Sequence, residues 1–204
     1  VHVHAFDAAG RETLDGTACA LTLRAVRARC PGVPVSLTTS AAIVADPAER
    51  LRLVAEWEEL PDLVTANQGE AGIGELCELL LARGVGIEAG LLSSDDARAF
   101  VRSGLVGRCR RALVEPLDAD ADTALRHAAE MEAIVLGAGI ALEQVHHGYD
   151  LACWAVNRRA LERGHGIRTG LEDVALLPDG SPAADNAALV AAAARLIRER
   201  IPGG

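Results

Sequence analysis

Residues 84–104, GVGIEAGLLSSDDARAFVRSG, decide how the rest of the chain is read. Residues 85–91 (VGIEAGL) form a short apolar run of strand length. Ser94-Asp95-Asp96 then offers a helix cap with an acidic first turn, where carboxylates meet the positive end of the helix dipole. Residues 94–103 carry helical periodicity, and Gly104, like Gly84 and Gly164, stands where a helix end commonly needs a left-handed residue. The stretch reads as one strand followed by one helix.

The same unit recurs on both sides of it. Strands are expected at 1–6 (VHVHAF), 33–40 (VPVSLTTS), 62–68 (DLVTANQ), 109–116 (CRRALVEP), 141–148 (ALEQVHHG) and 166–173 (GIRTGLED). Helical periodicity fills 17–29, 47–58, 70–83, 121–138, 150–163 and 184–200, with Asp46-Pro47 as an N-cap followed by proline at the first helical position. The one loose stretch, 178–184, contains a turn at Pro178-Asp179-Gly180. A strand and helix in roughly 25 residues, joined by short connections, implies parallel βα crossovers. Seven such units predict an α/β protein, a (β/α)8 TIM-type barrel with seven βα units visible, as a single domain over residues 1–204. A doubly wound sheet would carry a glycine-rich phosphate loop after its first strand, and none follows 1–6. The strand ends carry His2, His4, Thr38, Thr39, Asn67, Glu88, Glu115, His146, His147, Glu172 and Asp173, the kind of polar rim an enzyme barrel presents. Because the first strand opens directly on such residues, a further strand and helix upstream, or a neighbouring copy covering the strand edges, is expected.

Of the 204 residues, 50% are hydrophobic but only five are aromatic, so the core is built from Ala, Val and Leu, as suits buried strands under helices. A net charge of −9 argues against a nucleic-acid or anionic-membrane surface. No apolar run reaches membrane-spanning length, and no secretory leader is visible. The five cysteines are scattered and never form CxxC, which points to small buried hydrophobes and a reducing cytoplasm.

In Val1-His2-Val3-His4 the histidines alternate with valines. Strand side chains repeat every two residues, so both imidazoles leave one face, with Cα atoms roughly 6.5–7 Å apart. Both rings can then converge on one ion, although HxH also arises from core packing. Glu172 in Gly170-Leu171-Glu172-Asp173 is the best-placed third ligand. Adjacent strand residues face opposite ways, so Asp173 is expected where the strand gives way to its loop. Arg168, four residues before Glu172 on the same strand face, either orients a substrate carboxylate or pairs with a surface acid. An inward Glu88 costs several kcal/mol unless paired, so it is either salt-bridged to Arg168 or an acid–base group. Of His146 and His147, His147 is taken to line the pocket and His146 to be packed or solvent-facing.

Three segments, VHVHAFDAAGRETLD (1–15), IRTGLED (167–173) and PDGSPAADNAALV (178–190), resemble the β-keto acid cleavage enzyme family, whose namesake is 3-keto-5-aminohexanoate cleavage enzyme. The resemblance implies a (β/α)8 barrel with one zinc held by His2, His4 and Glu172. It makes Arg168 and Asp173 the arginine–aspartate pair beside the metal and Glu88 the strand carboxylate. Thr38 falls where many members have serine, in a run that here reads Thr38-Thr39-Ser40 rather than Ser-Thr-Gly. Thr38, Thr39, Asn67 and His147 are the expected substrate contacts. Relatives begin with a further strand and helix that supply an acidic residue, and the bulkier Thr38–Ser40 run crowds the pocket. The implied activity is zinc-dependent acyl transfer between a short β-keto acid and acetyl-CoA, giving acetoacetate and a new CoA ester. Such a protein is expected to be a cytoplasmic homo-oligomer with small-molecule partners. Two other readings fit the residues: a metal-dependent amidohydrolase-like hydrolase, and a catalytically reduced barrel serving as a binding or assembly partner.

Overall fold

Branched and apolar residues at Leu63–Asn67 and Gly86–Leu91 make the two longest strands, buried along nearly their whole length. In the computed structural model, which describes residues 1–200, seven strands alternate with seven α-helices. They are β1 (His2–Val3), α1 (Gly16–Arg29), β2 (Ser36–Thr38), α2 (Pro47–Ala55), β3 (Leu63–Asn67), α3 (Ile73–Ala82), β4 (Gly86–Leu91) and α4 (Ser94–Arg102), followed by β5 (Arg111–Val114), α5 (Ala121–Gly137), β6 (Gln144–His146), α6 (Cys153–Glu162), β7 (Gly166–Ile167) and α7 (Asn186–Arg200). Every expected strand and helix is present in its expected place. The chain divides into two compact units, Val1–Gly90 with Arg102–Arg110, and Leu91–Val101 with the residues from Arg111 onward.

In the first unit β1 to β4 pair in parallel and in chain order, with His2 opposite Ser36, Thr38 opposite Thr65 and Thr65 opposite Glu88. Leu23, Leu37, Val54, Trp57, Val64, Leu80 and Ile87 are buried between strands and helices. Trp57 donates its indole N–H to the Leu14 carbonyl at 2.9 Å, which meets the ring's polar need inside the core. Helix starts follow the expected chemistry: Asp46 accepts from the amides of Ala48 and Glu49, with Pro47 at the first helical position. The far end of α2 is closed by Arg83, whose guanidinium donates to the carbonyls of Val54, Ala55 and Trp57.

In the second unit β5, β6 and β7 are likewise parallel and in chain order. The cap of α4 is Ser93, one residue before the expected Ser94: its hydroxyl accepts from the Asp96 amide at 3.2 Å and donates to the Asp96 carboxylate at 2.9 Å. The turn expected at Pro178–Gly180 is present, with Gly180 at φ +84°. Helix α5 is tied to α6 by a buried ionic cluster. Glu132, only 2% exposed, takes Arg159 at 2.5 Å, Arg163 at 2.8 Å and His165 at 3.1 Å. Burial alone would raise its pKa, but hydrogen bonds from Arg163, His165 and Arg159 outweigh it and hold the carboxyl at about 2.

The strands are shorter than the sequence suggests. The expected strand 166–173 stops at Ile167, and residues 171–173 form a turn instead. Gly170 is the cause: its carbonyl accepts from the amides of both Asp173 and Val174 at 2.9 Å, a helical turn that cannot continue a ladder. Arg168 and Glu172 therefore meet across a turn rather than along a strand face. Likewise β1 ends at Val3, so His4 lies just past the strand and not within it.

Glu132 has a depressed folded-state pKa, so its contribution is present above its unfolded value near 4.5 and is lost as pH falls through about 2. Glu132→Ala leaves Arg159 and Arg163 without their buried carboxylate and should cost about 3–5 kcal/mol in urea unfolding at pH 7, with a smaller difference from the parent near pH 3.

Candidate active site

The first unit builds a two-histidine platform. His2 Nδ1 lies 3.2 Å from Ser36 Oγ and 3.4 Å from Thr65 Oγ1, while the Thr65 hydroxyl donates to Glu88 Oε2 at 2.8 Å. Because the Thr65 proton is committed to Glu88, Thr65 faces His2 as an acceptor, and a proton on His2 Nδ1 is the tautomer that suits it. His4 reaches the same state by another route. Asp7 accepts from the amides of Ala9 and Arg11, and Gly10 takes φ +74°, folding residues 6–12 into a hairpin. Glu12 is thereby brought back to His4, with its Oε1 3.0 Å from Nδ1. A carboxylate there also demands an N–H. In both rings an oxygen on Nδ1 orients the ring and raises its basicity, the arrangement in which Nε2 would ligate a metal. The two rings stand edge to face with centroids 5.2 Å apart. This donor set suits a divalent ion such as zinc.

Around the platform the threonines divide their work. The Thr39 hydroxyl donates to the Thr65 carbonyl at 2.8 Å, and Thr38 Oγ1 accepts from the Ser40 amide at 3.3 Å. Asn67 donates to Glu70 Oε1 at 3.0 Å, and the same oxygen receives the Ala41 amide at 2.9 Å. Glu70 is anchored by the buried Arg50 at 3.1 Å. Gly90 is in close quarters here: a Cβ on it would lie 2.4 Å from Asn67 Oδ1. Glu88 is buried with Thr65 as a hydrogen-bond donor, in the first unit and therefore beside the histidine platform.

The second unit gathers Arg168, Glu172, Asp173, His147 and Glu115. Glu172 is 47% exposed and takes Arg168 Nη2 at 3.0 Å, whereas Asp173 is 6% exposed with the same nitrogen 3.6 Å from its Oδ1. The turn carrying them is braced by Asn186, which accepts the Leu171 amide at 2.8 Å. His147, 1% exposed, stands between two carboxylates: Nε2 is 3.2 Å from Glu115 Oε2 and Nδ1 is 3.3 Å from Asp173 Oδ1. These are ion-pair contacts, without the angles of aligned hydrogen bonds. Burial pulls the His147 pKa down, but Asp173 and Glu115 outweigh it and lift it to about 9. His146 faces the opposite way, stacked on His165 with centroids 4.7 Å apart, and burial holds it down at about 3. Two adjacent histidines thus carry opposite charge states at neutral pH.

Three participants escape sequence reasoning: Ser36 and Thr65, which orient His2, and Glu12, which orients His4. Glu12 had a local signal, since Asp7 and Gly10 mark the reversal that returns it to His4. Glu115 was visible as a strand-end acid but not as the partner of His147.

The description "beta-keto acid cleavage enzyme" belongs to the family model that matches residues 1–102 and 118–200. The chain belongs to this family. No curated protein matches it in sequence. Among solved structures it is similar to ObcA: in a ternary complex with a C4-CoA adduct and oxalate (TM-score 0.72, 15% identity, 98% of this chain and 60% of that one), and in a binary complex with oxaloacetate (0.72, 14%, 98% and 60%). Apo ObcA is similar at TM-score 0.67 and 14% identity, over 98% of this chain and 56% of that one. The likeness is one of fold, the TIM-type β/α barrel expected from the seven βα units. The chain spans about 60% of the length of these relatives.

The opposed histidine states are directly observable. In ¹⁵N-resolved imidazole spectra at pH 7, His147 should be doubly protonated and titrate near 9, while His146 should stay neutral until about pH 3. A neutral His147 at pH 7 would contradict the two-carboxylate clamp.

Proposed function

We propose that the protein is a zinc-dependent β-keto acid cleavage enzyme that passes an acyl group between a short β-keto acid and acetyl-CoA. The observation that carries this reading is the pair of Nδ1-anchored histidines in a chain of this family, with an arginine–aspartate pair in its GLED turn. The likeness to ObcA, whose complexes hold oxaloacetate and a CoA adduct, agrees with a small keto acid and CoA as partners.

In this proposal His2, His4 and Glu172 hold the ion, which when bound supplies a Lewis acid that polarises the keto oxygen. Asp173 removes a proton from the carbon between keto and carboxylate groups. Arg168, beside both Asp173 and Glu172, orients the Asp173 carboxylate and offers a cation to the substrate's own carboxylate. The resulting carbanion attacks the acetyl thioester and CoA thiolate departs. The thiolate then attacks the original keto carbon, whose bond to the central carbon breaks with the electron pair left on that carbon; Asp173 returns its proton there, releasing acetoacetate and the new CoA ester. Glu88, with Thr65 on one oxygen, serves as the second acid–base group. Thr38, Thr39 and Asn67 line the substrate side, with His147 at the base of the Asp173 carboxylate. Cytoplasmic location and a homo-oligomeric state belong to the same proposal, and the free thiols of all five cysteines fit a reducing compartment.

Protein purified without added metal should carry about one zinc per chain, lost in His4→Ala. Asp173→Asn should keep zinc and fold while kcat for CoA-ester formation falls ~10²–10⁴-fold. Arg168→Lys should also be impaired, because a point charge does not replace a planar fork. Mass spectrometry of CoA esters formed from acetyl-CoA and a panel of β-keto acids is the assay. No new ester from any of them, or turnover that does not need CoA, would overturn the reading.

A further inference from the structure

Asp173 is gripped from one loop at two points. Its side chain meets His147 through Oδ1 at 3.3 Å. Its backbone carbonyl accepts the amide of Asp150 at 2.7 Å, three residues further along the same loop. That loop has little freedom. A Cβ on Gly148 would lie 2.9 Å from both the Ala152 carbonyl oxygen and Val156 Cγ2, so the chain after His147 lies flat on α6. Asp150 holds φ +48°, a left-handed conformation that a non-glycine residue adopts only when its surroundings enforce it. Arg168 Nη2, at 3.6 Å, approaches the same Oδ1. Oδ1 therefore carries the cations, and Oδ2 is the oxygen left to exchange a proton with a reacting group.

Glu115 explains why the imidazole can do this. A neutral ring has one N–H and could face only one carboxylate as a donor. With Glu115 3.2 Å from Nε2, both nitrogens face anions, and the doubly protonated ring donates toward each. The groups facing His147 are Glu115 beyond β5, Asp173 in the turn after β7 and Arg168 just past β7, while His146 beside it in the chain turns away toward His165. Glu115 lies between the two stretches that match the family model, whereas His147 and Asp173 lie within the second.

We infer that Glu115 and His147 are positioning residues: they fix the Asp173 carboxylate through Oδ1 and so aim Oδ2 at the substrate carbon. The inference rests on the proposed function only for what Asp173 does, and the clamp itself is readable without turnover.

The test uses the zinc-loaded protein with Glu115→Gln and His147→Gln, each checked for metal content and thermal unfolding. In imidazole spectra of the parent, both ring N–H protons of His147 are expected. Glu115→Gln should lose the one on Nε2 and lower the pH at which the ring titrates. In the CoA-ester assay both variants should lose about 10- to 100-fold in kcat, the scale of a misplaced reacting group, with KM and zinc within about twofold of the parent. Glu115→Gln should also shift the alkaline limb of the kcat–pH profile downward, which a merely structural residue would not do. A His147 with one N–H in the parent, or both variants turning over at the parental rate, overturns the inference. So does a loss of kcat that merely tracks lost zinc or unfolding. If the parent makes no CoA ester, the proposed function fails and the spectra alone decide the clamp: both N–H protons support it, and one overturns it.

Discussion

A parallel ladder makes every strand of a unit finish at the same end, because each crossover helix carries the chain back to the start before the next strand begins. Everything of chemical interest here depends on that constraint. In the first unit it sets β1 to β4 side by side in register, so that Ser36, Thr65 and Glu88, far apart in sequence, form a continuous line of oxygens behind His2. In the second it does the same for Glu115, His147 and the residues just past β7. The ladder sets where these groups emerge, and short-range turns set where they point. Asp7 and Gly10 return Glu12 to His4, and Gly170 curls the chain so that exposed Glu172 and buried Asp173 face different surroundings.

Periodicity and capping residues located all seven strands and seven helices, because both are local properties of the chain. The extents were less legible. Strand composition persists beyond the last ladder bond, so GIRTGLED reads as eight strand residues although only two of them pair. The ligand-type residues were legible from residue type and spacing. Their orientation was not, since it depends on partners such as Ser36 and Thr65 that are 34 and 63 positions from His2. The Glu132 cluster was invisible for the same reason: nothing local to α5 announces two arginines and a histidine arriving from α6 and the residue before β7.

His146 and His147 show how little residue identity says about charge. Both are essentially buried, and burial alone would make both neutral. What separates them is the strand's alternation, which turns one ring toward another imidazole and the other toward two carboxylates. A one-residue shift in the register of β6 would exchange these environments. The pairing of Val114 with His146 therefore holds the charge distribution as well as the backbone.

Gly90 has a consequence for how this site can change over generations. Its missing side chain is filled by the Asn67 amide, which in turn leans on Glu70 and the buried Arg50. A larger residue at position 90 would have to turn the Asn67 amide away from its bond to Glu70, so change at positions 67 and 90 is coupled. Thr38 and Thr39 lie outside this interlock, which Ser40 joins through its own hydroxyl bond to Glu70. Descendants of this sequence that accept differently sized molecules would acquire the difference at Thr38 or Thr39, one substitution at a time, before position 90, where two residues must change together.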